Sequence, residues 1–462
     1  MHTHPKTLGE LKQAGYTSRG IREEFRTNLV RMLRAGETPF PGLHGYEQTV
    51  IPQVQNAILA GHDLLLLGER GQAKSRLARN LTSLLDEWIP IISGTETNDD
   101  PMHPVSAQGR STLAEMGDKT PISWIHRSKR FAEKLATPDT SIADLIGEID
   151  PIKIAEGRYL SNEEVIAFGL IPRANRGIFN LNELPDLSER IQVGLLNILE
   201  ERDVQIRGFT VRMPLDILVV ASANPEDYTN RGRIITPLKD RFGSQVRTHY
   251  PASIEHELRI VDQEEQSAAI PGIDLHVPLF MRDLVAAISH QARRHPKVNT
   301  RSGVSVRMTI ANYETIIANA QRRTILTGDT LAVPGIIDLV ATIASMMGKI
   351  EFDTWEADDD ARVIDDITGE SIRETGADLP NQDWATGILQ LVEEGQVFTV
   401  DPMCSAEEML HAMRLPEVIL AGAAQFAQGN SPAATSSGIQ FALEYWYRTG
   451  RIRKLQNQYA SI

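Results

Sequence analysis

The chain has 462 residues, of which 41% are hydrophobic and 23% charged, with one cysteine and a formal net charge of −14. That length exceeds one ordinary core, so about two to four soluble globular domains are expected. The acidic balance argues against general nucleic-acid binding, and the lone Cys404 excludes an intrachain disulfide framework and fits a reducing compartment, the cytoplasm. No apolar stretch approaches the roughly 18 residues needed to span a bilayer, and the opening "MHTHPKTLGELK" lacks the apolar centre of a signal peptide, so neither membrane insertion nor export is expected.

In chain order, residues 1–35 read as a polar, helical N-terminal arm. From "FPGLHGYEQ" (40–48) to about 260, short apolar runs alternate with amphipathic stretches, which predicts an α/β domain with a parallel sheet over 36–260. The runs "DLLLLG" (63–68), "GIFNL" (177–181) and "DILVVASAN" (216–224) read as buried strands. Leu77, Leu81, Leu84, Leu85 and Trp88 repeat at helical spacing after the first of these, and Ile191, Leu195, Ile198 and Leu199 do so after the second. The basic "WIHRSKRFAEK" (124–134) reads as one charged face of a helix, and "RDVQIRGFTVRMP" (202–214) as a hairpin about Gly208.

Beyond about 270 the pattern turns helical, with Val306, Ile310, Tyr313, Ile317 and Ala320 on one stripe and a further helix from Pro334 to Met347, stopped at Gly348. This predicts a helical lid over 261–350. Residues 351–462 are expected to hold a solvated acidic connector, "WEADDDARVIDDITGE" (355–370), and a C-terminal region containing the loop-like "GNSPAATSSG" (429–438).

The chemistry concentrates in "GERGQAKSR" (68–76). It approaches the phosphate-loop pattern G-x-x-x-x-G-K-[ST], with Ala73 in place of the last glycine. Such a loop works because successive backbone N–H groups at a helix N-terminus surround phosphate oxygens. Gly68, Glu69, Arg70, Gly71, Gln72, Ala73, Lys74, Ser75 and Arg76 are therefore candidate nucleotide-binding residues, with Lys74 against the β/γ-phosphates and Ser75 on Mg²⁺. If the Ala73 position requires positive φ, its Cβ costs about 1 kcal/mol. At the end of the second strand, Glu183 is the candidate carboxylate that polarises the attacking water. Asn182 stands where a metal-side aspartate is expected, able to hydrogen-bond a metal-bound water but bringing no charge. Asn224, ending the third strand, is placed to orient that water. Arg241 in "TPLKDRFG" (236–243) could reach a neighbouring subunit's γ-phosphate, or else pair locally with Asp240; Arg307 could contact nucleotide within its own subunit.

Taken together, "FPGLHGYEQ", "IADLIGEIDPIKIAEGR" (142–158), "GLIPRANRGIFNLNELPDL" (169–187), the hairpin, "SANPED" and "PLKDRFG" resemble the AAA+ ATPases of the magnesium-chelatase I-subunit and MoxR clade. The resemblance is strong over about 36–260 and weak to about 350. It implies an AAA+ P-loop core with a helical lid, a homo-oligomeric ring of six with MgATP between neighbours, and His44 near the adenine. Glu183 would then be the catalytic carboxylate, Asn224 sensor 1, Arg241 the finger and Arg307 sensor 2. The resemblance also implies a motor that remodels, matures or metal-loads a partner, that partner being a separate protein with a von Willebrand A domain. Ala73 and Asn182 depart from the pattern at the phosphate–metal site, so slow hydrolysis is expected. The alternatives are a nucleotide-stabilised scaffold that barely turns over and an RNA-polymerase activator. The latter class carries "GAFTGA", which is absent from this chain.

Overall fold

The computed structural model describes residues 4–150, 165–205, 212–224, 232–299, 302–352 and 357–462. The chain divides into two compact units, Met1–His249 and Tyr250–Ile462.

In the first unit the buried apolar runs pair as strands. These are β1 (Leu64–Leu67), β2 (Phe131–Leu135), β3 (Gly177–Asn182), β4 (Ile217–Ala223) and β5 (Ser244–Arg247). They form one five-stranded sheet in the order β5-β1-β4-β3-β2, with every pairing parallel. All four leucines of β1 are buried because helices cover both faces of the sheet. Side chains alternate between those faces. Leu64 and Leu66 enter one core with Ile178, Leu218 and Val220, while Leu65 and Leu67 enter the other with Phe179, Leu181, Val219 and Ala221. Helices α1 (Ile21–Arg34), α2 (Val50–Ala60) and α3 (Lys74–Asn80) contribute to the first core. Helices α4 (Glu189–Glu200) and α5 (Thr236–Arg241) contribute to the second.

Three expectations for this unit are corrected. The described part of 1–35 holds two helices, Leu8–Gln13 and α1, but it is not a polar arm: Ile21, Phe25 and Leu29 lie in the sheet's core. Glu24 and Arg130 form a fully buried bidentate pair at 2.6 and 2.7 Å. Asp86 N–H also donates to Glu24 at 2.6 Å, and Arg130 Nε donates to the Arg176 carbonyl at 2.8 Å. The helix after β1 stops at Asn80 and tightens into a 3₁₀ turn over Leu81–Leu84. Trp88 instead opens a strand, Trp88–Ile92, paired antiparallel with Ile122–His126. The leucine spacing misled because the 3₁₀ turn keeps Leu81 and Leu84 on the same buried side as Leu77. The basic 124–134 segment is the end of a strand followed by β2, not a helix face. The hairpin strands Asp203–Gln205 and Arg212–Pro214 pair as expected, and the turn about Gly208 lies outside the described residues.

In the second unit, one apolar cluster runs from Val261 to Tyr459 and so draws on residues on both sides of 350. The stripe beginning at Val306 is the helix Val306–Thr327. Residues 336–346 are a 3₁₀ stretch, Ile336–Ala341, continuing into the helix Thr342–Met346. The acidic segment expected to be a solvated connector is, from residue 357 on, the helix Ala357–Thr375. Val363, Ile364, Ile367 and Ile372 are buried in the core, while Asp365 and Asp366 are exposed. The "SPAATSSG" stretch opens another helix, Pro432–Arg448, in which the Ser431 hydroxyl accepts from Ala434 N–H and proline occupies the first turn.

Replacing Arg130 by methionine strands a buried Glu24 carboxylate, so we expect a loss of about 3–5 kcal/mol in urea unfolding of the full chain; a loss below about 1 kcal/mol would show the pair to be dispensable.

Candidate functional site

In parallel sheets, ligands sit beyond the carboxyl ends of the strands. Here β1, β4 and β3 are consecutive neighbours and all end at the same edge, which brings the residues that follow them together.

The loop after β1 is shaped by close approach. Gly68 N–H donates to the Ala223 carbonyl at 3.2 Å, and a Cβ on Gly68 would lie 1.9 Å from Thr248 Oγ1. Gln72 is buried at 6% exposure, and its Oε1 accepts from Glu69 N–H at 3.0 Å and Thr248 Oγ1 at 2.8 Å. Ala73 takes φ 52 and ψ 21 immediately before α3. The substitution noted in the sequence therefore places an alanine in the left-handed region, next to Gly71 at φ 76. The turn keeps positive φ at both positions, with a Cβ penalty at Ala73.

Lys74 is the hub. Its Nζ donates to Asn224 Oδ1 at 2.6 Å and to the Glu69 carbonyl at 2.9 Å, and also to the Gly68 carbonyl. Asn224 Nδ2 in turn donates to Glu183 Oε2 at 2.8 Å. The ammonium, amide and carboxylate expected from three separate motifs thus form one continuous line. Glu183 itself has φ 55, and its N–H reaches Ser222 Oγ at 3.4 Å. A non-glycine residue in that region at a strand end is the kind of local strain that collects at functional sites.

Asn182 lies beside this line. Its Oδ1 accepts from Ser222 Oγ at 3.2 Å and from Asn180 Nδ2 at 3.1 Å, and its Nδ2 donates to Glu133 Oε1 at 2.6 Å. Asn180 Nδ2 also reaches Glu133 Oε1 at 3.2 Å. Glu133 Oε2 accepts from Arg79, one turn along α3 from Ser75, at 2.9 and 3.1 Å. Among the described residues, no group of three or more His, Cys, Asp or Glu side chains is placed to hold a metal ion. That donor set fits Mg²⁺ arriving with a nucleotide, since this ion keeps waters and substrate phosphates rather than requiring an all-protein cage. Ser75, in the first turn of α3, and Asn182 Oδ1 are the groups that would meet it.

The remaining candidates fall elsewhere. Arg241 is held by Glu200, at 2.8 Å from Nε and 2.6 Å from its terminal nitrogen, and donates to the Pro237 carbonyl at 2.9 Å. The local ion pair exists, with Glu200 rather than Asp240 as partner. Arg307 is exposed in the first turn of the helix Val306–Thr327, in the second unit. His44 is half-buried between α1 and α2, next to Leu43 in the core. Arg76 reaches the Gly42 carbonyl of that segment at 3.3 Å. Sequence reasoning missed Tyr46, whose hydroxyl lies 2.7 Å from the Gln72 carbonyl and 3.0 Å from that of His249. It also missed Thr248, Ser222 and Glu133. Tyr46 follows directly on "LHG", which was a usable signal; the other three become visible only when the strands are side by side.

Comparison with known proteins finds partial matches. The family described as "Sigma-54 interaction domain" matches residues 154–241, less than a fifth of the chain. The magnesium-chelatase 38 kDa subunit of Cereibacter sphaeroides is 28% identical over 240 residues, covering 49% of this chain and 63% of its own length. The magnesium-chelatase subunit ChlI of Nostoc sp. is 29% identical over 253 residues, covering 53% and 61% respectively. The chain thus spans about three-fifths of the length of these curated relatives. Among solved structures, one of the complex between subunits BchI and BchD of magnesium chelatase is 20% identical, covers 71% of this chain and 98% of its own, and has a TM-score of 0.36. Brucella abortus NtrX in complex with ATP is 15% identical, covers 80% and 68%, and has a TM-score of 0.38.

A parallel sheet flanked by helices, a phosphate-type loop after β1 and a polar strand-end pair on β3 define an AAA+ P-loop protein, followed by a mostly helical C-terminal region. Within that class, the chain is similar to magnesium-chelatase I subunits over about half of its length.

Ala73→Gly should relieve the left-handed strain and raise stability by up to about 1 kcal/mol in urea unfolding. A destabilised variant would mean that the Ala73 methyl contributes packing worth more than its backbone cost.

Proposed function

We propose that the chain binds MgATP and hydrolyses it slowly, and that it couples turnover to remodelling, maturation or metal loading of another protein. The observation that carries this reading is the unbroken line from Lys74 through Asn224 to Glu183.

In this reading Lys74 exchanges its backbone carbonyl partners for β/γ-phosphate oxygens. Gly68, Glu69, Arg70, Gly71, Gln72, Ala73, Ser75 and Arg76 complete the loop around them. Mg²⁺, when bound with the nucleotide, neutralises charge on those phosphates. Glu183 accepts a proton from the attacking water, and Asn224, bonded to that carboxylate, fixes where the water lies. His44 and Tyr46 border the base. Arg241 acts in trans after release from Glu200, and Arg307 acts within its own chain from a lid over 261–350. The trans role of Arg241 calls for a homo-oligomeric ring, which we take to be a hexamer.

The relatives' names, all magnesium-chelatase subunits, support a metal-chelatase-like motor that works with other subunits; we take a chaperone-like role on a separate partner to be the broader form of the same reading. We take that partner to carry a von Willebrand A domain. No helix among the described residues is long and apolar enough to cross a membrane, which accords with work in the cytoplasm.

Lys74→Ala should abolish the nucleotide-dependent thermal shift of the full chain. Glu183→Gln should keep that shift while lowering phosphate release by about a hundredfold or more. Equal phosphate release from wild type and Glu183→Gln would instead identify a scaffold that uses nucleotide only for stability. Arg241→Ala should lower phosphate release only under conditions where light scattering shows assembly; an equal loss in the monomer would remove the trans role.

A further inference from the structure

Asn182 lacks the negative charge expected at its position, yet a carboxylate lies 2.6 Å from its amide, on the neighbouring strand. In the β2–β3 register Glu133 is opposite Asn180, and Leu135 is opposite Asn182. Asn180, Asn182 and Glu133 therefore share one face of the sheet, and Arg79 of α3 meets Glu133 on that face. Ser222, in β4, extends the same polar row to the strand that Asn224 follows.

We propose, building on the MgATP reading above, that Glu133 is a positioning residue of the phosphate–metal site: the carboxylate usual on β3 stands here on β2, and it orients Asn182. An ionised carboxylate can only accept hydrogen bonds. Glu133 must therefore take the Asn182 NH₂, and this turns Oδ1 toward Ser222 and the Lys74 side of the row. Oδ1 is the only atom of that amide able to accept, and a metal-bound water would take the place of Ser222 Oγ or Asn180 Nδ2 as its donor. Without Glu133 that orientation rests on those two donors alone, and when the water displaces one of them the amide is free to turn its N–H groups toward the cation's shell, where they are useless. Glu133 also keeps one negative charge within a side chain's length of the site, balanced at rest by Arg79.

The arrangement makes the two positions interdependent. Asn182→Asp alone restores the common motif on β3 but sets two carboxylates at a contact now bridged by a hydrogen bond, and like charges so close are mutually destabilising. Glu133→Gln alone removes the charge and frees the amide to flip. The double variant Glu133→Gln/Asn182→Asp exchanges the two groups and regains one carboxylate and one amide in contact.

The experiment measures ADP affinity by calorimetry with and without Mg²⁺, and thermal unfolding without nucleotide, for the wild type, both single variants and the double variant. Each single variant should lose about tenfold of the Mg²⁺-dependent gain in affinity, and the double variant should return to within about threefold of wild type, the non-additivity expected of groups in contact. Asn182→Asp should also melt lower than the double variant in the absence of nucleotide. If Asn182→Asp does not fold, Glu133→Gln against the double variant carries the same comparison. Additive effects, or an Asn182→Asp that gains Mg²⁺-dependent affinity while Glu133→Gln matches wild type, would overturn the pairing and leave the nucleotide reading intact. A wild type that binds no nucleotide with or without Mg²⁺ would overturn both.

Discussion

The first unit is organised around one amide. Asn224 accepts from the Lys74 ammonium and donates to the Glu183 carboxylate, so a cation and an anion are joined through one side chain. Only a side chain that donates and accepts at once can do this. With Lys74 and Asn224 both buried, the low local dielectric strengthens each bond in the line. Everything else in the unit serves to bring three strand ends to one edge, and the order β1-β4-β3 in the middle of the sheet achieves it.

That order is enforced by burial on both faces. The alternation within β1 feeds two separate cores, so a one-residue slip of this strand would exchange its inward sets and move the loop that follows. The loop tolerates little movement, because Gly68 is packed against Thr248 and Gln72. Against this rigid frame the departures from the family pattern are local. Ala73 accepts an unfavourable backbone region, and Asn182 exchanges a charge for an amide held by side chains of its own strand and of the two strands beside it.

Much of the sheet was legible from sequence because β1, β3 and β4 are continuous apolar runs, a pattern that only a strand covered on both sides needs. The loop residues and Glu183 were legible because each follows directly on such a run. The misreadings share another cause. Leu81 and Leu84 keep helical spacing through a 3₁₀ turn, and the charged 124–134 stretch conceals Arg130, whose charge is answered by Glu24 from a helix about a hundred residues away in sequence. The acidic 357–375 helix looked solvated because its aspartates outnumber the isoleucines that anchor it. Glu133 could not be found by reading along one strand, since its meaning depends on register with the next.

The burial of Glu24 has a practical side for anyone preparing shorter versions of this protein. A fragment begun at the first recognisable motif, near residue 40, would discard a wall of the fold rather than a dispensable leader. It would uncover the Ile21–Phe25–Leu29 seat and leave a guanidinium facing a void. Inactivity in such a fragment would report on a damaged scaffold and say nothing about the nucleotide chemistry.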